Sequence, residues 1–229
     1  LKIDIKGFIV ANDDKWIYDW FEVGAVCPSD IINQLEKANG EDIEVGINSP
    51  GGDVYAGSEI YTALMEYKGN VLNKVVAVAA SAASIIAMAG KTVITPTGQI
   101  MIHNVLTQIR GNHTALEREA IVLKGHDAGI ANAYMLKTGM SRDELLDLME
   151  KETYFNAQEA LKYKFVDEIM FDEGNRLVAS MGQAMIPTEV INKMRSFLKA
   201  NGQTQVVRTA ESGKELSVLK AKLALELIL

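Results

Sequence analysis

The sequence predicts an α/β fold, and three observations carry that expectation. Ile43, Val45 and Ile47 alternate with polar neighbours, the period-two signature of a strand over 42–48. Residues 71–79 are almost continuously apolar, as suits a strand buried on both faces of a largely parallel sheet. A helix-period segment follows each strand. The first carries Ile60, Leu64 and Tyr67 and ends near Gly69; the second runs over 82–89 and ends at Gly90.

The remaining elements follow in chain order. Ile3, Ile5 and Phe8 open the chain with strand spacing. Residues 29–37 read as a helix with Ile32 and Leu35 on one face and Ser29 as N-cap. Ser49-Pro50-Gly51-Gly52 reads as a breaker that ends the strand before it. Short strands are expected over 92–95 and 99–104. A capping box, Thr114-Ala115-Leu116-Glu117, opens a helix over 114–137 that Thr138-Gly139 stops. Gly125 and Gly129 lie inside it at a cost of about 1 kcal/mol each against Ala, so close packing against another backbone is the expected compensation. Two further boxes, Ser141-Arg142-Asp143-Glu144 and Asn156-Ala157-Gln158-Glu159, each mark a helix start, and 165–170 reads as a last strand.

Composition bounds the function. The chain has 229 residues, 48% hydrophobic and 23% charged, which suits a folded domain over 1–172 with its own core. Composition shifts beyond 172. Residues 173–229 read as a helical tail, with amphipathic segments over 187–200 and 215–229 and a polar linker near 201–214. That tail suits either a small accessory or a segment that docks on sister subunits or a partner. A net charge of −7 argues against a broad nucleic-acid surface. The longest apolar run, 75–89, is too short to span a membrane, and no secretory segment is visible, so a cytoplasmic, reducing setting is expected. The single cysteine, Cys27, excludes an internal disulfide and reads as a buried small hydrophobe. No metal-ligand spacing and no phosphate loop occur; Gly213-Lys214 lacks both the upstream glycine and the following Ser or Thr. No cofactor, metal or ATP site is therefore expected.

Chemistry concentrates at one junction. In Ala79-Ala80-Ser81-Ala82-Ala83 a buried strand ends, a serine follows and a helix begins at once. That is the geometry of a nucleophile elbow, with alanines where G-x-S-x-G has glycines. A serine there meets the free N–H groups of a helix start, yet on this evidence alone an N-cap or packing role is the more ordinary reading. Ser84, one turn deeper, reads as packing. His103 ends the apolar stretch Ile100-Met101-Ile102 and suits either a satisfied core histidine or a base. His113 and His126 read as solvated. Pro50-Gly51-Gly52 can aim bare backbone N–H groups into a cleft, or be an ordinary turn.

Taken together these segments resemble the ClpP family, the proteolytic subunits of the Clp protease. The resemblance rests on Ile47-Asn48-Ser49-Pro50-Gly51-Gly52, on Ala79-Ala80-Ser81 with Ala89-Gly90, on Ile100-Met101-Ile102-His103, and on Tyr154-Phe155-Asn156-Ala157-Gln158-Glu159-Ala160 leading into Phe165-Val166-Asp167. The four motifs stand in the family's order, and the resemblance covers about residues 1–170. The resemblance implies the ClpP/crotonase-like fold of repeated ββα units, with 114–137 as the protruding handle helix through which copies associate. It implies serine endopeptidase activity on polypeptides, without cofactor and without ATP bound by this chain.

Residue by residue, the resemblance implies Ser81 as nucleophile, His103 as general base, and the N–H groups of Gly52 and Ala82 as the oxyanion hole. The family's aspartate aligns with Glu152, a longer carboxylate able to serve the same purpose. Asp167, aligned with a structural aspartate, is the alternative third member. Ala77 and Ala83 replace glycines common in the family. The branch resembles the head-maturation (prohead) proteases of tailed phages, which cleave capsid or scaffold proteins. The aromatic start (Trp16, Tyr18, Trp20, Phe21), the compact Ser-to-His segment and the long tail point that way. Three rivals stand beside it: a housekeeping Clp subunit working with a separate ATPase, a catalytically degenerate assembly scaffold, and acyl-CoA chemistry of the crotonase kind.

Overall fold

A computed structural model describes residues 1–171. The expected tail over 173–229, its linker and its two helical segments lie outside the described residues. The chain runs β1 (Lys2–Ile9), α1 (Lys15–Trp20), β2 (Ala25–Val26), α2 (Pro28–Ala38), β3 (Ile43–Gly52), α3 (Val54–Glu66), β4 (Val71–Ala80) and α4 (Ala82–Ala87). It continues β5 (Lys91–Ile94), β6 (Gln99–Ile102), α5 (His113–Thr138), α6 (Arg142–Glu150), β7 (Thr153–Asn156), α7 (Ala157–Lys162) and β8 (Glu168–Ile169). This is the expected α/β class.

The sheet is parallel through β2-β1-β3-β4-β5-β8. β4 carries two neighbours on one side. Its first half pairs with β5, from Leu72 opposite Lys91 to Val75 opposite Ile94; its second half pairs with β6, from Val78 opposite Gln99 to Ala80 opposite Met101. β6 in turn pairs antiparallel with β7. The sheet thus gains two strands only at the C-terminal end of β4, where the serine elbow lies.

The core is rich in isoleucine and alanine. Ile3, Ile5, Val45, Ile47 and Val75 from the sheet are fully buried, as are Ile31, Ile60 and Ile86 from the helices. Each such isoleucine contributes about 2 kcal/mol relative to exposure. Alanines let the helices approach closely: a Cβ on Gly57 of α3 would stand 2.9 Å from the Ala82 side chain of α4. Cys27 is buried as expected, and it also helps start a helix.

Several local expectations are corrected. The strand over 42–48 does not stop at Ser49-Pro50-Gly51-Gly52; β3 runs on to Gly52, pairing Phe8 with Gly51 and Ile9 with Gly52 past a register shift. An extended backbone accommodates this proline, and the bulge absorbs its missing donor. The cap of α2 is Cys27, not Ser29: Pro28 presets the first helical turn, and Asp30 accepts a hydrogen bond from the Cys27 N–H at 3.2 Å. The handle helix starts at His113, with Asn112 Oδ1 accepting from Ala115 N–H at 3.0 Å, so Thr114 is already inside the helix. The two other boxes form as expected, capped by Ser141 and Asn156.

A Cβ on Gly125 or Gly129 would meet no atom of another segment within 4 Å among the described residues, so no described segment of this protomer packs closely on them. Nor is β4 buried on both faces: Val75 and Ala79 are inside, but Val76 is 40% exposed and Ala77 is exposed. The last strand shortens to Glu168–Ile169. α1, β2 and β7 were not anticipated; each is six residues or fewer, too short for a periodic signal.

The cap assignment has a direct consequence. Asn112→Ala should destabilise the chain by about 1 kcal/mol, whereas Thr114→Ala should change stability by much less. Thermal unfolding of the two variants checks this; equal effects would restore Thr114 as the cap.

Candidate active site

The elbow is built from strand pairing. Ser81 follows the last residue of β4 and precedes the first residue of α4. Its backbone sits at φ 54°, ψ −126°, a region L-residues rarely adopt and one that costs about 1–3 kcal/mol. Three hydrogen bonds hold it there. The Ser81 N–H donates to Met101 O at 3.0 Å, and the Ser81 carbonyl accepts from Ser84 N–H at 2.9 Å and from Ser84 Oγ at 2.6 Å.

His103 comes immediately after β6. The register that sets Ala80 opposite Met101 brings Ser81, one residue on, beside His103, two residues on. Ser81 Oγ and His103 Nε2 lie 2.7 Å apart. With the imidazole neutral and its proton on Nδ1, the hydroxyl donates to Nε2, the arrangement a general base requires. The backbone beyond His103 is fixed from α5: Val105 N–H donates to Asp127 Oδ1 at 2.7 Å, and Asp127 is buried.

The glycines of β3 lie against the elbow. A Cβ on Gly51 would stand 2.6 Å from Ala80 O and 2.7 Å from Ser81 Cβ, and its φ of +94° disfavours any other residue. Gly51 N–H donates to the buried Ser49 Oγ at 3.1 Å, so that donor is turned away from the cleft. Gly52 and Ala82 line a cavity of about 280 Å³ together with Ser81 and His103. Ile85, Ile130, Val105 and Tyr134 form its apolar side. The buried Ala83 fits beneath the elbow without a glycine.

The carboxylates are placed differently from one another. β6 and β7 pair Ile102 with Thr153, so the next position on each strand sets His103 opposite Glu152. Glu152 is exposed, in a left-handed backbone conformation at φ 48°. Among the described residues no hydrogen bond or ion pair joins its carboxylate to His103. Asp167 is committed elsewhere: its Oδ2 accepts from Thr92 N–H at 2.7 Å and from Lys137 Nζ at 2.5 Å, tying β5 to the end of α5. His113 is exposed as expected, but His126 is half-buried, with Nε2 at 3.2 Å from the Tyr55 hydroxyl.

Sequence reasoning did not foresee the supporting bonds of four side chains: Ser49, Ser84, Asp127 and Tyr134. The last two had a legible signal. They stand seven residues apart, two turns along one helix face, among Ile130 and Ala131, so polar atoms sit on a core stripe. Ser84 is fully buried, and both its oxygen and its proton are used.

A family model described as Clp protease matches residues 22–173, which include Ser81, His103, Glu152 and Asp167. The chain belongs to the Clp protease family. This member is a ClpP-like serine-type peptidase, and its fold is the ClpP-like fold. A relative from Deinococcus radiodurans, named ATP-dependent Clp protease proteolytic subunit, is 34% identical over 165 residues, covering 69% of this chain and 80% of the relative. A second, from Tropheryma whipplei and named ATP-dependent Clp protease proteolytic subunit 2, is 27% identical over 132 residues, 56% of this chain and 73% of the relative. Among solved structures, a mutant of ClpP1 from Listeria monocytogenes matches with a TM-score of 0.62 at 23% identity, covering 76% of this chain and 92% of that one. At that identity the likeness establishes the fold.

The close approach at Gly51 gives a sharp expectation. Gly51→Ala should displace the elbow and lower peptide turnover by about 100-fold or more. Steady-state kinetics on a fluorogenic peptide check this; unchanged turnover would show that β3 does not fix the position of Ser81.

Proposed function

We propose that this peptidase cleaves polypeptides through an acyl-enzyme on Ser81, with His103 as general base and then general acid. The Ser81 Oγ to His103 Nε2 distance of 2.7 Å is the observation that carries the reading. A serine hydroxyl is a poor nucleophile until a base takes its proton. Here the base is already in hydrogen-bond contact, at the mouth of a cavity with an apolar side for a substrate side chain. As the carbonyl is attacked, negative charge develops on its oxygen. The N–H groups of Gly52 and Ala82 are the proposed donors, each worth about 3 kcal/mol in such sites. The collapsing intermediate expels the amine, protonated by His103, and water repeats the sequence to free the acid.

Glu152 is the proposed third member, orienting the His103 ring from the facing strand. The β6–β7 register supports it, and so do the bonds of Asp167 to Thr92 and Lys137, which leave that carboxylate a structural role. The Ser81–His103 contact favours catalysis over a degenerate scaffold. Glutamate at a crotonase-type site would act without such a serine–histidine pair.

Family members are oligomeric, and the proposed contact is the handle helix α5. Ile121 is 71% exposed there, and Val122 and Leu116 are exposed beside it, apolar surface that a second copy would cover. For the substrate, the reading is capsid or scaffold polypeptides of a phage head, processed in the host cytoplasm or procapsid. Supporting it, the family match begins at residue 22, leaving outside it an aromatic helix, α1, whose Trp16 and Trp20 are 64% and 77% exposed. The names of the Deinococcus and Tropheryma relatives favour a second reading, a housekeeping subunit fed by a separate ATPase. No described helix is long and apolar enough to cross a membrane.

Variants test the assignment. Ser81→Ala and His103→Ala should abolish peptide turnover while the chain stays folded. Glu152→Gln should lower kcat by about 100-fold or more, and Asp167→Asn should mainly lower the melting temperature. A dead Asp167→Asn with an active Glu152→Gln would reverse the two carboxylates. Ile121→Glu should shift the oligomer to smaller species in analytical ultracentrifugation; an unchanged assembly would remove α5 from the interface. Cleavage of purified capsid proteins without ATP supports the phage reading, whereas activity that appears only with an added ATPase supports the housekeeping one.

A further inference from the structure

We propose that Tyr134 and Ser84 are positioning residues that aim the Ala82 N–H at the reacting carbonyl. This inference rests on the reading of Ser81 as nucleophile and Ala82 as oxyanion donor. Tyr134 stands on α5 and Ser84 on α4, and both are fully buried. Their hydroxyl oxygens lie 2.7 Å apart, and Ser84 Oγ donates to the Ser81 carbonyl at 2.6 Å. Proton accounting fixes the direction of the chain. Ser84 has one proton and gives it to Ser81 O, so the Tyr134 hydroxyl donates to Ser84 Oγ. Burial pushes the Tyr134 phenol well above its ordinary range, with the Ser84 bond opposing in part, so the phenol stays neutral and remains a donor.

The target of this relay is what gives it meaning. The Ser81 carbonyl and the Ala82 N–H belong to one planar peptide group and point in opposite directions. Whatever holds the carbonyl therefore sets the direction of the N–H. The elbow needs such a hold because Ser81 occupies a strained conformation, at φ 54°. The Ser84 N–H alone gives that carbonyl one anchor; the relay adds a second, tied to a different helix. Phe and Ala would fill the same space without placing polar atoms in the core. Tyr134 also forms part of the cavity wall, so removing only its hydroxyl leaves that surface in place.

An oxyanion donor acts on the transition state and not on bound substrate, so the relay should appear in kcat and not in KM. The experiment compares Tyr134→Phe, Ser84→Ala and the double variant of the full chain by fluorogenic-peptide kinetics and thermal melting. Each single change should lower kcat about tenfold with KM unchanged. Ser84→Ala should also lower the melting temperature, because it strands a buried phenol. The double variant removes both polar ends and should recover most of that melting temperature while kcat stays low. A double variant whose kcat returns to wild type along with its stability, or single variants that alter KM alone, would overturn the proposal and leave the pair as packing. Ser81→Ala separates the two levels. If it retains turnover, the nucleophile assignment fails and takes the relay with it. If it is inactive while the double variant matches wild-type kcat, the assignment stands and the relay fails alone.

Discussion

The pairing of β4 with β6 is the constraint on which the site depends. Three bridges, ending with Ala80 opposite Met101, set the two strand ends side by side. The Ser81 N–H then reaches Met101 O, and the residue two beyond Met101 carries the imidazole to Ser81 Oγ. A shift of one residue in this register would turn each side chain to the opposite face. β5 ends its pairing at Val75, and this frees the upper half of β4 for β6. The division of one strand between two neighbours thus turns a parallel sheet into a platform for the two proposed catalytic groups.

The elbow stores strain, and its surroundings supply the restraint. Ser81 is held by backbone bonds on both sides, by Gly51 pressed against it from β3, and by buried hydroxyls from below. On the histidine side, Asp127 fastens the chain at Val105. Two buried polar side chains of α5, seven residues apart, therefore serve the two halves of the site, one through Ser84 and one through Val105. A helix read at first as an interface element also forms the rear wall of the cleft.

Much of this was legible in the sequence, and the rest was hidden for definable reasons. The strands with clean alternation, the long helix and the Ser141 and Asn156 caps follow from short-range periodicity and local hydrogen bonding. Ser81 and His103 were legible only as a pair of motifs, because each alone suits a packing role. The continuation of β3 through Pro50 was hidden because turn chemistry and an extended strand edge share the same residues; pairing with β1, distant in sequence, decides between them. Asn112 was hidden because Thr114 offers a rival cap two residues on. What packs on Gly125 and Gly129 was not legible because helix energetics says what a glycine costs but not what repays it. The relay through Ser84 was invisible because a small buried serine gives no periodic signal, and its partner lies 50 residues away.

The proposed chemistry requires one hydroxyl to be activated by one imidazole across the β4–β6 junction. Mass mapping of the adduct left by a fluorophosphonate on the native full chain tests it most directly. A single phosphonylated residue, Ser81, is expected, with no adduct when His103 is replaced by alanine. An adduct on Ser84 or elsewhere, or labelling of Ser81 that persists at full rate without the imidazole, would contradict it.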